Sequence, residues 1–233
     1  TLRLKFKDGV KPRFSKGTGV QVSTSPNIWD LTYENRNWDY LLAFQSNLIE
    51  VIGGNPFNVG SMMGLFSYCT SLSSIALLDT SYVVSFREML MGCTSLTSVP
   101  LFNTYAAMNF TSMFGECSSL TSVPLFNTSH ATNMDSMFNG CTSLTSVPLF
   151  DTSKVTSTDS MFAYCSSLTS IPLFDTTKVT NINMMFNECN NVETGALALY
   201  QRASTQTNPP SSHDRTFTNC GINTQTGAAE LAQ

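Results

Sequence analysis

Charge is scarce in this sequence: Asp, Glu, Lys and Arg make up only 12% of its 233 residues, about half the usual share. Ser, Thr and Asn fill the polar positions instead. The 12 Lys and Arg are outnumbered by 16 Asp and Glu, for a net charge of −4. That leaves no cationic footprint for a phosphate backbone, so nucleic-acid binding is not expected. No apolar run approaches the roughly 18 residues of a membrane span, and the opening TLRLKFKDG is a polar alternation, not a signal peptide. No membrane span is expected, and the residues alone do not tell the compartment. Histidine occurs only at His130 and His213, and C-x-x-C is missing, so the ligands of a structural zinc site are not present at the required spacing. No metal and no cofactor is expected.

What the sequence does hold is a repeat. Cysteines fall at Cys69, Cys93, Cys117, Cys141, Cys165 and Cys189, every interval being 24 residues. The same frame carries Leu72, Leu96, Leu120, Leu144, Leu168 and Val192, then Ile75, Val99, Val123, Val147 and Ile171, then Leu77, Leu101, Leu125, Leu149 and Leu173. Pairs such as Met113-Phe114 and Met137-Phe138 precede each cysteine, and Pro100, Pro124, Pro148 and Pro172 stand before the last leucine column. These columns are expected to form the core. Upstream, Leu41, Leu42, Leu48 and Val51 continue the frame with Gln45 in the cysteine place; downstream, Phe217 and Cys220 repeat it seven residues late. The stretch GALALYQRA and the loop STQTNPPSSHD supply the insertion, read as a short helix and a loop.

A 24-residue unit cannot bury its apolar side chains alone, whereas stacked units share one core. The expected fold is therefore an α/β repeat: a right-handed leucine-rich-repeat-like solenoid of 24-residue turns with short parallel strands and short helical turns, capped at both ends. Residues 1–39 are assigned to an N-terminal β-containing cap, 40–192 to the solenoid, and 193–233 to the inserted helix and loop, a last partial repeat and a C-terminal cap. In the cap, Leu2, Leu4 and Phe6 are read as a strand with Gly19–Val22 as its partner. Leu96, Val99 and Leu101 should point inward from a short strand that stops near Pro100. Asp159-Ser160-Met161-Phe162 and its copies are read as one helical turn, with Ser157, Asn133, Asn109 or Asn181 as N-caps.

The remaining columns are read conservatively. One cysteine per rung between Phe and Leu is what a small buried hydrophobe does, so free buried thiols are expected and no disulfide. The Asp/Asn-Thr column, Asp79-Thr80 to Asp175-Thr176, should hydrogen-bond its own turn. Phe102, Phe126, Phe150 and Phe174 are placed in the core at a corner, and the Thr97/Ser98 columns on a solvated face. Asp135 and Asp159, continued by Asn183, offer too few oxygens for calcium and suit capping better. His213-Asp214 is read as a solvated pair in the inserted loop, because no nucleophile or oxyanion donors accompany it. No catalytic residue is assigned. Columns that vary between copies are exposed, and the candidate partner surface draws on Tyr82, Tyr105, His130, Lys154, Lys178 and Tyr164.

The unit MFxxCxSLTSxPLFDTSxVTxM, seen over residues 161–180 and in its sister copies, resembles the BspA-like leucine-rich-repeat surface proteins of bacteria. The resemblance covers residues 41–220. It implies an exported or cell-surface protein that adheres to host or matrix proteins, glycans or other cell-surface components. The function expected is non-enzymatic binding or adhesion, with a structural spacer or tip of a displayed fibre as the second reading and a polysaccharide-active solenoid enzyme as the third.

Overall fold

The computed structural model describes residues 1–14, 17–33, 38–54 and 59–221. Its regular elements are β1 (Leu2–Phe6), β2 (Thr18–Thr24), β3 (Asn27–Thr32), β4 (Leu48–Gly54), β5 (Ser74–Ile75) and α1 (Ala196–Thr205). The strands form one sheet in the order β2-β3-β1-β4-β5, so the cap and the first rungs of the solenoid share a ladder.

The alternation Leu2, Leu4, Phe6 does make a strand with one fully buried face, but its partners differ from the expectation. β1 lies antiparallel between β3 and β4, and Gly19–Val22, inside β2, pairs with β3. The physical reason is burial: β3 turns Asn27, Trp29 and Leu31 into the core, whereas β2 has no buried residue and leaves Val20 and Val22 in solvent. A strand exposed on both faces belongs at an edge. β4 must bury Leu48 and Val51, three residues apart, and does so by bulges that skip Ile49 and Ile52 in its register with β1.

Beyond β5 the chain winds with a repeat of 24, stitched by single parallel bridges that run from Ser61 through Ser85, Asn109, Asn133, Ser157 and Asn181 to Ser212. The last step spans the insertion, whose helix is α1. Cys69 to Cys189 are buried free thiols, and Cys220 is buried in the same interior. Two phenylalanine stacks interleave beside them: Phe114, Phe138, Phe162 and Phe186 stack at 5.3–5.4 Å, and Phe126, Phe150 and Phe174 lie against them at 5.8–6.1 Å.

Two local expectations are corrected. The segment around Leu96–Leu101 is not a strand in the middle rungs, where one amide per turn crosses to its neighbour, as from Thr121 N to Thr97 O (3.2 Å). The proline that follows has no N–H to extend the ladder. Phe102 N instead bonds Pro100 O at 3.0 Å, a three-residue turn with Leu101 at its apex. Phe102 is thereby buried and Leu101 is 58% exposed, so the leucine column assigned to the core lies outside.

Nor does the segment before each cysteine form a helical turn. Leu65 N bonds Met62 O, Ser67 N bonds Gly64 O and Cys69 N bonds Phe66 O, while the intervening amides of Gly64, Phe66 and Tyr68 bond Arg87, Met89 and Met91 O in the next rung. Alternate amides thus serve the rung and its neighbour. The β-turns 62–65 and 66–69 carry positive φ at their third residue, 59° at Gly64 and 56° at Tyr68, the type II signature. The same two places are left-handed in every described rung, from Tyr40 and Phe44 to Arg215 and Asn219, and a left-handed residue breaks an α-helix.

Candidate interaction surface

Three corner turns decide what each rung shows to solvent. At the first, a three-residue turn closed by Phe102 N to Pro100 O and by Phe174 N to Pro172 O turns Leu101 and Leu173 outward, and Leu77, Leu125 and Leu149 align with them in one exposed row, 46–63% accessible. With a rung spacing of about 4.8 Å the row runs roughly 20 Å. α1 closes its end: Arg202 Nη1 donates to Leu173 O at 3.2 Å, and Arg202, Asp151 and Asp175 share with Leu149 and Leu173 a shallow depression of about 390 Å³.

At the second corner the Asp/Asn column behaves as expected and the threonine beside it does not. Asp79 Oδ1 accepts from the hydroxyl and amide of Ser81 at 2.7 and 3.1 Å; Thr80 is buried and donates across to Asn103 O in the next rung at 2.9 Å. Hydrogen bonds from Ser81, Ser153 and Thr177 hold the carboxyls of Asp79, Asp151 and Asp175 below the usual carboxylate range. These fixed anions flank the leucine row.

The variable residues follow at once. Tyr82, His130, Lys154 and Lys178 share one column, with Tyr105 in the column before it. Tyr82 and Tyr105 are exposed, as are Lys154 and Lys178; His130 is half-buried with its ring edge-on to Tyr105 at 5.0 Å. Five of the six predicted site residues therefore fall on one band of the surface. Tyr164 does not join them, because it occupies a left-handed turn position in the column of Phe44, Tyr68 and Glu116.

That third corner has its own pattern. Tyr40 passes over Gly64, where a Cβ would meet its ring at 2.1 Å, to donate to Glu88 Oε2 at 2.6 Å two rungs away. The bond to Glu88 pushes the Tyr40 hydroxyl up to about 12. Tyr68 likewise covers Gly92 and reaches Glu116, and Phe44 stacks on Tyr68 at 5.3 Å with an interplanar angle of 5°.

The polar columns considered for chemistry are occupied structurally. Asp135 Oδ1 accepts from Ser157 Oγ (2.5 Å) and Asp159 N (2.9 Å) in the following rung, and Asn183 Oδ1 does the same for Ser212 and Asp214. They bridge rungs and cap no helix. Asn109, Asn133 and Asn181 accept from the amide two residues on, closing turns. His213-Asp214 consequently belongs to the last rung and not to the inserted loop, and His213 lines an apolar cavity of about 220 Å³ with Ile182, Met185, Leu199, Tyr200 and Phe217. Among the described residues no group of three or more His, Cys, Asp or Glu is placed to hold a metal ion.

The leucine row was missed in the sequence because an invariant leucine column reads as core. The signal that could have found it is the proline directly before four of its five members, Leu101, Leu125, Leu149 and Leu173.

The family described as Mycoplasma protein of unknown function, DUF285, matches residues 45–148 and again 108–208, together well over half of the chain. No curated protein matches. A leucine-rich repeat protein from Bacteroides ovatus ATCC 8483, known as a crystal structure, is 18% identical with a TM-score of 0.49 over 85% of this chain and 47% of that one. A second, from Eubacterium ventriosum ATCC 27560, is 18% identical with a TM-score of 0.31 over 77% and 42%. The chain spans less than half the length of either.

Proposed function

As this chain belongs to the family of Mycoplasma proteins described as DUF285, whose function is unknown, we propose from its geometry that it is a non-enzymatic binding protein displayed on the bacterial surface, a BspA-like leucine-rich-repeat adhesin. One observation carries the reading: five leucines, Leu77 to Leu173, stand in register on the outside of a rigid scaffold. An apolar row of that length in water favours being covered by a partner. The neighbouring Tyr82, Tyr105 and His130 supply the aromatic groups enriched at interface hot spots, and the Asp79, Asp151 and Asp175 carboxylates give the row a polar, acidic border. The thiols are buried and pushed up in pKa, so they support packing and not nucleophilic chemistry. The partner class is a host or matrix protein, or another cell-surface component.

The test is binding of the intact protein to immobilised matrix proteins and cell-surface extracts, compared with Leu125→Glu and Leu149→Glu. A tenfold or greater loss of affinity with unchanged melting is expected for either variant. Binding that ignores both substitutions would overturn the reading, as would turnover of a polysaccharide in the absence of any partner.

A further inference from the structure

The charge of this protein is divided along the chain. Residues 1–39 hold seven of the 12 Lys and Arg and four of the 16 Asp and Glu, leaving the cap at net +3 and the remainder at −7. Of the cap's five described cations, three make no ion pair among the described residues. Arg3 is tied to Asp30 at 2.7 Å and Lys5 reaches Glu50 at 3.7 Å, but Lys11 and Arg13 pair with no carboxylate among the described residues. Both line a cleft of about 230 Å³ where the cap meets the first rung, together with Gln45 and Asn47. The nearest acid along the chain, Asp8, is engaged by the Asn27 amide at 3.1 Å.

An aromatic residue outside the cleft's lining stands next in sequence to one of its members. Phe44 directly precedes Gln45, and Gln45 Nε2 donates to Arg13 O at 3.0 Å, which fixes this corner against the cationic segment and leaves the Gln45 carbonyl oxygen as an acceptor. Phe44 stacks one face on Tyr68 yet remains 70% exposed. A ring covered on one face and so accessible must open its other face to water. It is the uncapped end of an aromatic stack.

We propose that this cleft and the open face of Phe44 form a binding site for an acidic sugar, a pyranose ring bearing a carboxylate or sulfate. Arg13 takes the anionic group in a forked, charge-assisted contact with Lys11 as a second positive charge. The amides of Gln45 and Asn47 match ring hydroxyls as both donors and acceptors. The apolar C–H face of the pyranose lies on Phe44, whose ring offers a flat apolar surface. The volume is below the roughly 300–1,000 Å³ of sites for drug-sized ligands, so the cleft takes one ring or its charged substituent, and affinity for a chain of such sugars comes from display of many copies. The site lies on the cap, separate from the leucine row.

The intact protein is titrated with the sulfated, uronate-containing disaccharide unit of chondroitin sulfate, followed by calorimetry or ligand-observed NMR, alongside lactose, inorganic sulfate and a nucleoside monophosphate. Saturable binding of the disaccharide is expected, with no binding of lactose, a tenfold or greater loss in Arg13→Ala, a comparable loss in Lys11→Ala, and at least a threefold loss in Phe44→Ala. Melting temperature should be unmoved in Arg13→Ala and Lys11→Ala, whose side chains are solvent-exposed, and little changed in Phe44→Ala, which gives up only the exposed stack on Tyr68. Absence of binding, sulfate binding as tightly as the disaccharide, or preference for the nucleotide would each overturn the proposal. Leu125→Glu serves as the separating control: it should leave sugar binding intact, so that a failed sugar site and a failed leucine-row interface give different results.

Discussion

The thiol of Cys141 donates to the backbone carbonyl of Phe114 in the preceding rung, with Sγ 3.0 Å from the oxygen. The same bond recurs from Cys69 to Leu42, Cys93 to Phe66, Cys117 to Leu90, Cys165 to Phe138 and Cys189 to Phe162, all between 3.0 and 3.2 Å. Cysteine is thus present for two properties at once, a small apolar volume and a weak donor aimed along the stack. Cys141→Ala forfeits both. The Phe114 carbonyl keeps its bond from Cys117 N, so the expected cost is modest, about 1–3 kcal/mol, measurable by urea denaturation. A cost near zero would mean that neither the volume nor the bond matters.

Burial also sets how the protein responds to alkali. The thiols of Cys69, Cys117 and Cys165 are pushed up to about 12 by desolvation, and those of Cys93 and Cys141 well above their ordinary value for the same reason. A pKa raised in the folded state means that folding favours the protonated form. The contribution is fully present below the unfolded thiol pKa of about 8.5 and is lost as pH rises through the folded values near 12. Thermal stability should therefore hold from pH 7 to 8 and fall steeply above pH 9, and a thiol reagent at pH 8 should leave Cys69 to Cys189 unmodified until denaturant is added. Rapid labelling of the native protein would place the sulfurs elsewhere.

These two predictions rest on what was legible in the sequence: a 24-residue spacing forces identical residues to stack, and Cys-x-x-Leu between Met-Phe pairs can only be interior. The burial of Phe102 and its copies and the helix after Gly195 were legible for similar reasons. The backbone conformation was not. Type II turns are usually betrayed by glycine at the third place, but here Tyr40, Glu88, Ser112, Ser136, Ser160 and Met184 occupy it with φ of 51–57°. Only Gly64, Gly92 and Gly140 hint at it. The hydrogen-bonded neighbours on both sides impose the left-handed residue, and no local propensity announces a tertiary constraint. The variable columns gave the surface band of Tyr82, Tyr105 and His130, while the leucine row was hidden by its own regularity.

The leucine row and the leucine core make opposite predictions from one residue type. Leu120 is fully buried and Leu125 is 60% exposed, although five positions separate them. Leu120→Ala should cost about 2–5 kcal/mol through lost burial and a cavity. Leu125→Ala should stay within about 0.5 kcal/mol. Parallel denaturation curves decide it, and equal losses would return the second column to the core.

The left-handed turn positions can be probed in both directions. A non-glycine residue there is disfavoured by about 1–2 kcal/mol relative to its right-handed form, so Ser136→Gly removes the Cβ conflict at φ 54°. Its greater unfolded-state freedom offsets about 0.5–1 kcal/mol of the gain. The net expectation is a small stabilisation, up to about 1 kcal/mol. Gly92→Ala goes the other way, since Gly92 has φ 71° and a Cβ there would meet the Tyr68 ring at 2.4 Å. It should destabilise by more than the conformational term alone and displace Tyr68 from both Phe44 and Glu116. Gly92→Ala combined with Tyr68→Ala should recover the part of the loss that comes from the clash and keep the part that comes from φ, so a double-mutant cycle separates them. Strict additivity of the two substitutions would show that Tyr68 does not lie across Gly92.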